Sequence, residues 1–152
     1  MNIYNNTMMI KKSLLSLSLV FIFFGCKKEA DVADLLIGKW NYSARSYLVG
    51  VDKREQKEAT DCTKKSFMEL AAGGTFHRES YGDEVPNTGC QLSISDLKSY
   101  QYDAASKRLI LTGGKSKENY KVISISKSKL VLQKLDEDGT LPPGELEYTY
   151  IR

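Results

Sequence analysis

The sequence predicts an all-β domain: an antiparallel up-and-down barrel of eight to nine strands that follows an N-terminal signal peptide. Three observations carry this. The chain has nine Tyr and five Phe, with many Thr, Ser and Val beyond residue 26, a composition that favours strands. No segment of ten residues after the leader keeps a helical period. Short alternating segments follow one another through hairpin-length turns, and a meander of that kind removes its free edges by closing into a barrel.

Residues 1–25 form the leader. Lys11 and Lys12 are the only charges before Cys26, and residues 13–24 are an apolar run with three serines. A positive start, a short apolar stretch and a small residue, Gly25, at the cut make a secretory signal. The run falls short of the roughly 20 residues that a spanning helix needs. Phe23-Phe24-Gly25-Cys26 resembles a bacterial lipobox, with Phe23 in the place usually held by Leu. Cys26 is therefore the expected lipidation site, and the membrane is the expected partner through that anchor. The alternative is a free or paired cysteine in a secreted protein. Residues 26–34 read as a polar tether, and residues 35–152 as the barrel domain.

The 127 residues from Cys26 onward make one domain large enough to bury a core. They carry 20 Lys and Arg against 19 Asp and Glu, so the basic balance leaves with the leader. A near-neutral domain gives no electrostatic reason for a nucleic-acid partner, and a monomer is expected. With Cys26 acylated, Cys62 and Cys90 remain as a pair in an oxidising compartment. They are either disulfide-bonded or two free thiols. One histidine and unsuitable spacing argue against zinc, and no cofactor is expected.

Along the chain, residues 31–37 suit one or two helical turns stopped by Gly38. Residues 40–49 alternate as a half-buried strand, and the charged residues 51–61 read as a long loop. Strands follow at 66–71 and 75–81, joined by the Gly73-Gly74 hairpin. Residues 82–89 read as loop, and 91–94 and 99–103 as two short strands. Then come a turn at 104–107, a strand at 108–112, a Gly113-Gly114 loop and a strand at 120–126. A tight turn leads to a strand at 130–135. A charged loop at 136–144 and a final strand at 145–151 close the chain. Alternation makes Tyr42, Ala44, Phe67, Phe76, Leu109, Leu111, Val122, Leu132 and Tyr148 the inward candidates.

Catalytic signatures are thin, and the chain is not expected to be an enzyme. His77 is the only histidine, and if Phe76 points inward His77 points to solvent. Gly114-Lys115-Ser116 resembles the end of a phosphate loop but lacks its first glycine, so a hairpin turn is expected. Residues 136–139 lack calcium-loop spacing and read as a solvated turn. The lysines at 115, 117, 121, 127 and 129 gather near hairpin tips among serines, a pattern of ordinary solvated positions with acidic surfaces as the alternative partner.

Gly38-Lys39-Trp40 at the first barrel strand resembles the G-x-W signature of the lipocalins. The whole order of motifs is similar to the lipocalin-like lipoproteins common in Bacteroidetes. Leu36 to Trp40, Asp61-Cys62, Phe67 with Gly74-Thr75-Phe76, Cys90, residues 120–132 and Tyr148-Thr149-Tyr150 stand in that order. The resemblance implies a calycin-type barrel on an outer-membrane lipoprotein of the cell envelope. Lys28-Glu29 faintly resembles the signal that sends such lipoproteins outward. It also implies that Trp40 is barrel-floor core and that Arg152, after the last strand, packs over it. A small hydrophobic ligand inside the barrel is the expected occupant. The alternative is a protein- or glycan-interaction module that uses the long loops.

Overall fold

The computed structural model describes residues 31–50, 53–82 and 89–152. The leader, Cys26, Lys28-Glu29 and most of the tether lie outside the described residues.

A one-turn helix, α1 (Val32–Leu36), opens the described chain. The Asp31 side chain caps it by accepting from the Ala33 amide at 3.0 Å, satisfying one of the unpaired donors of the first turn. Nine strands follow: β1 (Gly38–Val49), β2 (Lys53–Glu58), β3 (Phe67–Leu70), β4 (Thr75–Gly82), β5 (Gln91–Asp103), β6 (Arg108–Gly113), β7 (Ser116–Ile125), β8 (Lys129–Leu135) and β9 (Glu147–Ile151). Every pairing is antiparallel. The sheet order runs β2-β1-β3-β4-β5-β6-β7-β8-β9, and β1 also pairs with β9. That last pairing closes eight strands into a ring and leaves β2 as an extra strand.

The segment expected as a loop at 51–61 thus contains β2. Its sequence, Lys-Arg-Glu-Gln-Lys-Glu, has no apolar alternation. It is held by backbone pairing of Ala44 to Val49 on β1 with residues 53–58. The first four residues of β1 pair with β3 instead. Between β2 and β3 the chain leaves the ladder for residues 59–66, bracketed by Ala59 N–H to Ser43 O (2.8 Å) and Tyr42 N–H to Ser66 O (2.9 Å). This excursion carries Cys62, which forms a disulfide with Cys90 just before β5, Cα to Cα 5.2 Å. The two short strands expected at 91–94 and 99–103 are one thirteen-residue strand, β5. The strand expected from 120 begins at Ser116.

The core sits in the lower half of the barrel, at the end bearing α1 and the tight turns 71–74, 104–107 and 126–128. Leu36, Trp40, Leu70, Phe76, Leu109, Leu130 and Leu132 are fully buried there. At roughly 1.5–3 kcal/mol for each large apolar side chain, this cluster is the main source of stability. The other end carries the longer connections, including 136–146.

Candidate functional site

The floor is built around Trp40. Its Nε1 donates to Leu36 O at 2.9 Å, tying the end of α1 to β1. The Arg152 guanidinium stacks 3.8 Å from the centre of the Trp40 ring. Its Nη2 also donates to Leu35 O at 2.9 Å and to Ile37 O. One cation therefore caps the carbonyl end of α1 and covers the indole. Gly38 between them has φ +118, and a Cβ there would stand 3.1 Å from Arg152 Nη2. The glycine of Gly-x-Trp is thus fixed by both its backbone and the guanidinium above it.

Above this floor the interior changes character. Residues directly opposed on antiparallel strands share a face. Trp40 opposes Met68, Met68 opposes Arg78, and Arg78 opposes Asp96. Phe76 opposes Lys98, and Leu111 opposes Glu118. Two cations and two anions therefore point inward at mid-height. Arg78 grips Glu118 with both nitrogens at 3.1 Å and also bonds Asp96. Lys98 bonds Glu118 and lies 3.5 Å from Asp96. The Tyr120 hydroxyl donates to Glu118 at 2.7 Å. Burial raises the Glu118 pKa, but the bonds from Arg78, Lys98 and Tyr120 outweigh it and hold the carboxyl at about 2. Burial pushes the Tyr120, Tyr148 and Tyr150 hydroxyls up, so they stay protonated. The Arg78 Nε is buried with no hydrogen-bond partner among the described residues.

Between the floor and this layer, a void lined by Met68, Phe76, Arg78, Tyr120, Leu132 and Tyr150 measures about 10 Å³. That admits a water molecule at most, whereas a small-molecule pocket needs about 300 Å³ or more. The interior below the charged layer is filled by its own side chains.

Of the inward candidates, Phe76, Leu109, Leu111, Val122 and Leu132 are buried in the core, and Tyr148 packs against it. Tyr42 meets Tyr150 edge-on at 6.0 Å. Phe67 does not point inward. It shares a face with Glu79 on β4, carries Lys39 Nζ 3.7 Å over its ring and meets His77 edge-on at 5.2 Å. Met68 and Leu70 take the inward positions of β3. A bulge between Tyr42 and Ala44 shifts the alternation of β1. Arg45, rather than Ala44, then shares a face with Tyr148 and Leu132. His77 lies on the outer face, 3.7 Å from Glu79, with no nucleophile bonded to it among the described residues. Gly114-Lys115 is the β6–β7 hairpin turn. In the 136–140 turn, Asp138 accepts from the Thr140 amide and hydroxyl. Among the described residues no cluster of His, Cys, Asp or Glu could hold a metal. The charged layer itself had a sequence signal: Arg78, Lys98 and Glu118 each fall two residues from an inward aromatic, Phe76, Tyr100 and Tyr120.

A closed eight-stranded meander, with a short helix under its floor and an arginine over the floor tryptophan, defines a lipocalin-like barrel fold. Among solved structures, the chain is similar to a lipocalin-like protein from Bacteroides uniformis, at 14% identity and a TM-score of 0.47 over 78% of this chain and 98% of that one. It is also similar to a deswapped triple mutant of bovine odorant-binding protein, at 12% identity and a TM-score of 0.39 over 78% of this chain and 74% of that one. No protein-family model and no curated protein sequence matches it.

Proposed function

We propose that the protein is a non-enzymatic binding module of the cell envelope, anchored as a monomer to the outer membrane through acylated Cys26. It meets a polar partner, a protein surface or a glycan, at the loop end of its barrel. The observation that carries this reading is the charged layer of Arg78, Asp96, Lys98 and Glu118. It stands across the barrel at the depth where an apolar guest would enter. The void beneath it holds about 10 Å³, which argues against a small hydrophobic guest in that part of the barrel. Above the layer Arg45 and Tyr47 face inward, as does Ile94, two residues from Asp96 on the same face of β5, and Tyr47 shares its face with Glu55.

Two measurements test this reading. Titration with a fluorescent fatty-acid analogue should give no saturable binding; one-to-one saturation would overturn it. A photo-crosslinking residue in place of Tyr47 should capture a discrete partner in cells, and the same residue in place of Ser106 at the floor should not. Equal capture at both positions would count against the loop end as the binding surface.

A further inference from the structure

The chain leaves the barrel at the floor. Only residues 27–30 separate Cys26 from Asp31 at the start of α1. Fully extended, that stretch spans at most about 18 Å. β1 alone has twelve residues, about 40 Å at strand rise. An anchor on Cys26 therefore reaches the floor and not the loop end.

One flank of the floor is suited to such a surface. No Asp or Glu occurs between Glu118 and Asp136, and the floor end of that stretch carries Lys127 and Lys129. Lys127 lies in the β7–β8 turn and Lys129 opens β8. Both are exposed, with no ion-pair partner among the described residues. Lys129 stands directly opposite Ile151 on β9, and Ile151 opposite Asn41 on β1. Ile151 is 45% exposed and Ile123, at the β7 bulge, 43%. The acidic groups at this end lie elsewhere. Asp31 and Asp34 are on α1, Asp103 precedes the 104–107 turn, and Glu69 faces Lys39. The loop end carries both signs: Asp136, Glu137 and Asp138 stand with Lys115 and Lys117, and Glu145 and Glu147 pair with Arg54.

We propose that the flank formed by the β7–β8 turn and the lower ends of β7, β8 and β9 lies against an anionic lipid surface. Ile123 and Ile151 sit at the headgroup boundary, and Lys127 and Lys129 face lipid phosphates. The barrel then stands with its floor on the membrane and its loops pointing away. This inference rests on the Cys26 reading for its placement, but the surface chemistry is separable from it.

The experiment uses the acylated protein in vesicles of equimolar phosphatidylcholine and phosphatidylglycerol with brominated acyl chains. A tryptophan introduced as Ile151→Trp should be quenched more strongly than one introduced as Leu92→Trp at the loop end; equal or reversed quenching would overturn the orientation. Labelled palmitate, incorporated by the wild type and not by Cys26→Ser, reports the anchor on its own. If no label is found the anchor reading fails, and the surface is judged by sedimentation of the unacylated protein with the same vesicles. At roughly fivefold per lysine near an anionic surface, Lys127→Gln with Lys129→Gln should weaken that binding about 25-fold. Unacylated protein that ignores anionic vesicles, or binds neutral ones equally, would overturn the proposal.

Discussion

The lower and upper halves of the barrel interior are filled by opposite chemistry. Below mid-height, Trp40, Leu70, Phe76, Leu109 and Leu132 close the space with apolar atoms, and Arg152 seals the floor from outside. Above them, Arg78, Asp96, Lys98 and Glu118 cross the same space as paired charges. The lower half is a packed core in the role a cavity plays in barrels that carry ligands. The upper half brings Arg45 and Tyr47 inward together with the apolar Ile94. In the proposed function, stability and recognition fall to different ends.

The largest expected break is Phe76→Ala. It should cost about 3–5 kcal/mol in denaturant unfolding, because the ring is fully buried beside the existing void. If the variant folds, the opened space should admit an apolar probe that the wild type refuses. A wild type that binds the probe as well as the variant would erase the contrast between the halves.

The disulfide comes next. It ties the 59–66 excursion to the start of β5 and closes 27 intervening residues. In the chain-entropy picture, Cys62→Ser with Cys90→Ser should lower stability by about 3–4 kcal/mol, read as a reduced denaturation midpoint.

The charged layer should add an acid-sensitive component. The Glu118 carboxyl is held at about 2, well below its ordinary value. Its contribution is therefore complete above the unfolded-state pKa near 4.3 and is lost as pH falls towards 2. On the order of 2–3 kcal/mol should disappear across that window. Glu118→Gln should be less stable at neutral pH and should flatten the pH dependence between these limits. An unchanged acid profile would show that the layer is electrostatically idle.

The smallest effect is expected at the floor seal. Arg152→Ala removes the contact over Trp40 and the bonds to Leu35 O and Ile37 O. About 1–2 kcal/mol should be lost, together with faster amide exchange in α1. No change in either would remove Arg152 from the floor.

The lower half was the more legible from sequence. Alternation around Phe76, Leu109, Leu111, Val122 and Leu132 marked the interior, and Gly73-Gly74 marked one of its turns. β2 was hidden because an extra strand beside an already closed ring buries neither face, so it has no apolar period. Phe67 misled through its size; Glu69, two residues on, shares its face and marks it as outward. The Asp96-Leu97-Lys98 step read as a break between two short strands. It is the middle of β5, where inward charges replace inward apolar groups. The same substitution concealed the charged layer, since binary patterning treats a charge as outward unless its phase with Phe76, Tyr100 and Tyr120 is followed.

The most direct test of this division is native mass spectrometry of the protein purified from its own membrane. The acyl group proposed on Cys26 would be covalent and survive denaturation, so mass lost on unfolding is a bound guest. A barrel filled as described should show no stoichiometric small hydrophobic molecule, with any added mass belonging to a polar partner. One equivalent of a small apolar compound per chain, released on unfolding, would contradict it.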